Sequence, residues 1–241
     1  LLRNSTGGAA LFGLRHFGQP FNDTIRIVSI ETSELSDKVN GGGSDMAIVA
    51  AAPRRTSIGA RRNPETETAI IEAARQLLAE RGYAGFSIEE AARRAGAGKA
   101  TVYRWWPTKA DLFMTVYGME KARSIVLPDT GILIDDLVAH TADLWRFWHT
   151  HPAGGAFRAL IAEAQSSEAA GQRLRNEFLP VLFRPARHLF ERAAARGELP
   201  ASRIDERLEL WAGFNWYRLL TWQTEVDTDL LRRIEAIIAT P

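Results

Sequence analysis

Between Ser87 and Trp106 the chain lays two short helical signals around a three-residue turn, Gly96-Ala97-Gly98. No other stretch restricts the fold so tightly. Ser87, followed by Glu90 three residues on, opens the first helix and is expected to form a capping box. Ile88, Ala91, Ala92 and Ala95 supply the apolar stripe, and the three alanines let a second helix approach closely. Gly96 permits the sharp reversal that such a crossing needs. Lys99 to Trp106 then spans about two helical turns before Pro107 breaks it. Two short helices joined by a glycine-containing turn make a helix-turn-helix. Val102 and Trp106 then face the core, while Gly98, Lys99, Thr101, Tyr103 and Arg104 face outward. That outward set suits a nucleic acid duplex. Lysine and arginine neutralise phosphates, hydroxyls bond backbone oxygens, and arginine can fork onto guanine in the major groove.

The flanking residues complete the unit. Pro64 suits the first turn of a helix, with Asn63 as its cap and Glu65 and Glu67 at the positive end. Ile70, Ala74, Leu77 and Leu78 recur at helical spacing until Gly82. Beyond Pro107, Thr108 caps a fourth helix starting at Lys109. Farther on, helical segments are expected at Asp135–His149, Gly154–Ser166, Glu168–Arg196, Asp205–Gln223 and Asp227–Ala239, with Pro180 and Pro185 bending or dividing the third. The fold class is read as all-α: a helix-turn-helix domain followed by a helical bundle.

The net charge of +1 conceals an asymmetry. Residues 46–113 carry 11 Lys/Arg against 7 Asp/Glu, whereas residues 114–241 carry 15 against 17, so the basic excess sits where a polyanion would be met. Residues 53–62 are polar and basic and read as a mobile arm, with Arg61 and Arg62 taken as further DNA contacts. Residues 1–45 end in Asn40-Gly41-Gly42-Gly43-Ser44, a linker composition, and Met46 reads as a natural start. The earlier stretch is expected to be a poorly ordered extension. The absence of cysteine removes disulfides and thiolate chemistry. No apolar run approaches the roughly 20 residues that would cross a bilayer. A cytoplasmic protein is the expectation.

Ala97-Gly98-Lys99-Ala100-Thr101-Val102-Tyr103-Arg104-Trp105-Trp106-Pro107-Thr108-Lys109, with Gly82-Tyr83 and Phe86-Ser87-Ile88 upstream, resembles the DNA-binding domain of the TetR repressors. The resemblance covers residues 64–113. It implies that Ser87, Thr101, Tyr103 and Lys109 contact phosphates and that Gly98, Lys99 and Arg104 lie in or beside the major groove. Gly98 replaces a serine often seen in the family, which costs the cap only a few tenths of a kcal/mol. Trp105, also counted with the DNA-binding set, stands where a basic or imidazole side chain is common. Residues 114–128 are then a connecting helix, and residues 129–241 loosely resemble the C-terminal domain of one TetR subgroup. The likeness implies a homodimer built through Asp205–Gln223 and Asp227–Ala239, a palindromic double-stranded operator, and a small hydrophobic effector whose binding releases DNA. Trp145, Trp148, Phe157, Phe178 and Trp211 are the candidate pocket wall, set against the simpler account of an ordinary aromatic core.

Other chemistries find less support. Gly96 to Thr101 echoes a phosphate-binding loop, but Arg93 and Ala100 occupy positions that motif gives to glycine and Ser/Thr. His149 and His151 could suggest a metal, yet a helix end before Pro152 explains them as well. Asp135 and Asp136 read as helix-start charges. Neither an enzyme nor a cofactor is expected. The remaining alternative is an all-α ligand-binding or adaptor protein without DNA affinity.

Overall fold

The structure, a computed structural model, describes residues 63–240. The expected extension at residues 1–45, the basic arm and its Arg61 and Arg62 lie outside the described residues. Every regular element among the described residues is helical.

Helix α1, Pro64–Arg81, starts as its residues dictate: Asn63 accepts a hydrogen bond from the Glu65 amide at 3.0 Å, and Pro64 occupies the first turn. Gly82 closes it at a φ of 61°. Helix α2, Ile88–Arg94, is capped by the Ser87 hydroxyl, which accepts from the Glu90 amide at 3.1 Å. The expected capping box is only half made. The Glu90 carboxylate turns instead to the Arg93 fork and to a single bond from Arg94, because charged guanidinium donors hold it more strongly than one amide. Gly96 reverses the chain at a φ of 63°, and α3 runs Lys99–Trp105. A complete capping box does occur one helix later, between Thr108 and Asp111 at the start of α4, Lys109–Ser124.

Helix α4 runs through one continuous core that spans the head and the helices beyond it. Its first half, with Leu112 and Phe113, closes over Ile70, Leu77, Phe86 and Val102. Farther along, Tyr117 stacks on Phe157 at 4.6 Å between centroids and accepts a hydrogen bond from the Trp148 indole at 2.9 Å. Helices α5 (Leu133–Thr150) and α6 (Pro152–Ala164) follow. His151 joins them, ending α5 and capping α6 by accepting from the Ala153 amide at 3.2 Å, while its other ring nitrogen lies 3.1 Å from Glu120. Asp136 lies in the first turn of α5, as expected, but not at the surface. It is fully buried and accepts from the Thr130 amide and hydroxyl, tying down the turn before α5.

The long segment expected over Glu168–Arg196 is divided. Helix α7, Glu168–Arg173, passes into a π-helical turn, Leu174–Phe178, and then into α8, Leu179–Ala195. The break sits just before Pro180, whose ring would crowd the carbonyl of Asn176 in an unbroken α-helix; the wider turn relieves that clash. Helix α9, Ile204–Leu220, stops three residues earlier than its sequence pattern extends. There Trp222 takes a φ of 62° and the Gln223 amide bonds back to the Arg218 carbonyl, a Schellman closure made without glycine. Helix α10, Thr228–Ala239, packs along α5, and α9 along α8.

Gly154 marks the closest approach of α6 to α5. A β-carbon there would lie 2.2 Å from the Phe147 carbonyl oxygen, and backbone cannot swing aside as a side chain can. Gly154→Ala is expected to destabilise the protein by about 3 kcal/mol in chemical denaturation. A loss under about 0.5 kcal/mol, the range of an ordinary surface change, would show that this contact relaxes freely.

Candidate nucleic-acid interface and effector cavity

The helix-turn-helix presents the face its spacing predicts. Val102 and Trp106 are buried, and the Trp106 indole donates to the Thr115 hydroxyl at 2.9 Å, rooting α3 in α4. On the opposite side Gly98, Lys99, Tyr103 and Arg104 are exposed and Thr101 is half-buried. Tyr103, at 40% exposure, is a surface residue and not a core tyrosine. Its hydroxyl donates to the Glu89 carboxylate, which lowers that carboxyl's pKa and raises the phenol's. Arg104 has no ion-pair partner among the described residues. By contrast, Arg94 forks onto Glu80 of α1 at 2.7 and 2.9 Å and also meets Glu90, so its charge is spent holding α2 against α1. Trp105 is half-buried, edge-on to Trp106 at 5.8 Å, and therefore only partly turned outward. Lys109 rests its ammonium 4.1 Å from the centre of the Tyr83 ring, and Ser87 is occupied as a cap.

The candidate pocket residues divide. Trp148, Phe157 and Trp211 line one small internal cavity, together with Tyr117, Lys121 and Asn215. At about 10 Å³ that cavity holds no more than a water molecule in this conformation. Trp145 stands apart, its indole donating to Asn215 at 2.6 Å. Phe178 belongs to a separate apolar cluster with Ala164 and Leu174. Lys121 went unnoticed in the sequence because Glu120 and Arg123 flank it, like a solvated surface stretch. The signal was the four-residue step Phe113-Tyr117-Lys121, which places it on the apolar face of α4.

Beneath the cavity lies a buried polar set. The Trp211 indole donates to Thr141 at 2.9 Å, and the Thr141 hydroxyl donates to Glu235 of α10 at 2.7 Å. His140 stacks on Trp211, and neither of its ring nitrogens has a protein hydrogen-bond partner. Burial raises the Glu235 carboxyl to about 7 and lowers the His140 imidazole to about 3. Two outer features complete the domain. Arg173 of α7 donates to the Thr108 hydroxyl at 3.0 Å and pairs with Asp111, so the second domain grips the cap of α4. Leu210, Tyr217 and Leu220 on α9 and Ile237 on α10 form an exposed apolar face.

A sequence model described as bacterial regulatory proteins, tetR family, matches residues 70–116, and one described as the tetracyclin repressor-like C-terminal domain matches residues 127–237. The uncharacterised HTH-type transcriptional regulator YdeS of Bacillus subtilis is 33% identical over 175 residues, covering 72% of this chain and 88% of the relative. The chain belongs to the TetR family. It is thus a DNA-binding transcriptional regulator. Among other relatives, the DNA-binding transcriptional repressor TetR of Mycobacteroides abscessus is 30% identical over 57% of this chain and 72% of its own length. The crystal structure of the TetR family transcription regulator SCO0332 shares the fold with a TM-score of 0.62 at 24% identity, covering 73% of this chain and 97% of that one.

The buried carboxyl of this TetR family member makes its stability depend on pH. Glu235 titrates near 7 when folded against 4.5 when exposed, so the folded state holds its proton more tightly. That contribution is complete below pH 4.5 and is lost as pH rises through 7. Glu235→Gln keeps an acceptor for Thr141 and is expected to raise stability at pH 8 by about 2–3 kcal/mol relative to pH 5. Thermal unfolding of both proteins across that range checks it; a constant difference would mean that Glu235 does not titrate there.

Proposed function

We propose that this regulator is a homodimeric, ligand-responsive repressor. Two α3 helices would enter the major groove of a palindromic operator, and a small apolar effector in the C-terminal domain would release them. The observation carrying this reading is the outward face of α3, where Lys99, Tyr103 and Arg104 are exposed while Val102 and Trp106 hold the helix in the core. Ser87, Thr101, Tyr103 and Lys109 are the proposed phosphate contacts, with Gly98, Lys99, Arg104 and Trp105 in or beside the groove and Arg61 and Arg62 following from the arm. On DNA the Tyr103 hydroxyl would leave Glu89 and donate to a phosphate.

The exposed apolar face on α9 and α10 supports dimerisation, since solvent-facing Leu210, Tyr217, Leu220 and Ile237 gain most by being covered. Two such helices from each protomer make a four-helix interface that sets the α3 helices roughly 34–36 Å apart. The repressor sign follows the name of the Mycobacteroides abscessus relative. Effector action is a population shift: a ligand favouring a different α4 position lowers operator affinity by its differential binding to the two states. Arg173 would carry that displacement from α7 to Asp111.

Selection from a random duplex pool should return an inverted repeat bound by a dimer, with affinity falling steeply as salt rises. In gel shift, the double substitution Tyr103→Ala, Lys109→Ala should abolish binding while circular dichroism stays unchanged. Retained affinity removes those residues from the interface, and no enrichment by a folded protein returns the weight to an adaptor without DNA affinity. Arg173→Ala, which removes the bonds to Thr108 and Asp111 but no proposed DNA contact, should weaken operator binding by about 3- to 10-fold. Unchanged affinity would exclude it from the coupling route.

A further inference from the structure

Among the described residues, Lys121 is the one lysine or arginine lining the internal cavity. Its side chain is buried, and no carboxylate pairs with it among the described residues. The ammonium donates to the Leu182 carbonyl at 3.1 Å, leaving two of its three N–H donors without a protein acceptor. An unpaired ammonium in an apolar interior is costly, and burial alone lowers its pKa to about 8. Around it are the aromatic walls Tyr117, Trp148, Phe157 and Trp211. Asn215 joins them, its amide donating to the Trp211 carbonyl at 2.8 Å with one N–H to spare. His140, stacked against Trp211, adds two more unpartnered polar atoms nearby. Such a site has an apolar body and a single cationic pole.

The cavity shares a wall with a larger groove. A groove of about 520 Å³ runs between α8 and α9, and Phe183, Ala212 and Trp216 line both the groove and the cavity. Phe183 and Trp216 meet at 6.3 Å between centroids and are each only half-buried. Rotation of those two rings would join groove and cavity into a chamber of the size that takes a drug-sized ligand. The groove's charges offset one another, Arg175 and Arg187 against Asp205 and Glu209. Selection for ligand charge therefore falls to the interior.

We infer that this cavity is the effector site and that it takes a small apolar or aromatic carboxylate, entering past Phe183 and Trp216 and pairing its anion with Lys121. The inference rests on reading the C-terminal domain as effector-binding. It narrows the hydrophobic effector expected from the sequence to a monoanion with an apolar body. Lys121 charge and ligand charge then cancel in the interior, which a neutral ligand cannot achieve.

The test pairs acids with their neutral amides: benzoate with benzamide, indole-3-acetate with indole-3-acetamide, decanoate with decanamide. Binding to the full chain is read from quenching of its seven tryptophans, and operator release from gel shift. At least one acid should bind at least ten-fold tighter than its amide. Lys121→Met should erase that preference, and Lys121→Arg should retain it. Equal binding of acid and amide by the wild-type protein would overturn the proposal without any variant, as would failure of every acid to bind at millimolar concentration. An acid preference that survives in folded Lys121→Met would overturn it too. If the wild-type protein binds a selected operator but shows no acid preference, the site assignment fails and the regulator reading stands. A Lys121-dependent acid preference without operator binding supports the site and counts against the regulator.

Discussion

The structure depends on α4 running through a single continuous core that joins the helix-turn-helix head to the helices behind it. Phe113 closes the helix-turn-helix head, and one turn later Tyr117 is wedged among Phe147, Phe157 and Trp148 in the second domain. Close-packed interiors do not absorb displacement at one end of a rigid helix without passing it to the other. The Thr108–Asp111 capping box fixes where that helix begins, and Trp106 bonds to its side through Thr115. α3 therefore inherits its position from α4, and α4 inherits its own from the aromatic packing behind it.

A second consequence is electrostatic economy within the head. Arg93 and Arg94 are consumed by Glu80 and Glu90, which keeps α1 and α2 together. Lys99 and Arg104, a few residues along, are left to face outward. The small basic surplus of residues 46–113 is thus divided between structure and recognition. Charge counting along the chain cannot separate the two shares; the side-chain partners can.

What could be read from the residues was whatever is local. Asn63, Ser87 and Thr108 cap the helices they were expected to cap, and Val102 and Trp106 turn inward as their spacing requires. What escaped depends on partners distant in the chain. Glu90 forms no reciprocal cap because Arg93 and Arg94 compete for it, and Asp136 is buried because Thr130 folds back over it. Of the five aromatics proposed for a pocket, three share a cavity. Trp145 and Phe178 have the same composition and helical spacing, but other helices cover them. Lys121 was the reverse case, a charge whose helical phase put it inside.

The wide turn at Leu174–Phe178 has a further meaning when considered as a distribution of strength. Over some dozen residues this segment carries a π-turn, Pro180 and Pro185, and the two prolines remove two of the amide donors a helix would use. Local opening there breaks fewer backbone hydrogen bonds than an equal length of α5 would. This segment joins Arg173, which grips α4, to Phe183, which lines both the cavity and the groove. Fewer backbone hydrogen bonds therefore tie the chain together between Arg173 and Phe183 than along an equal length of α5.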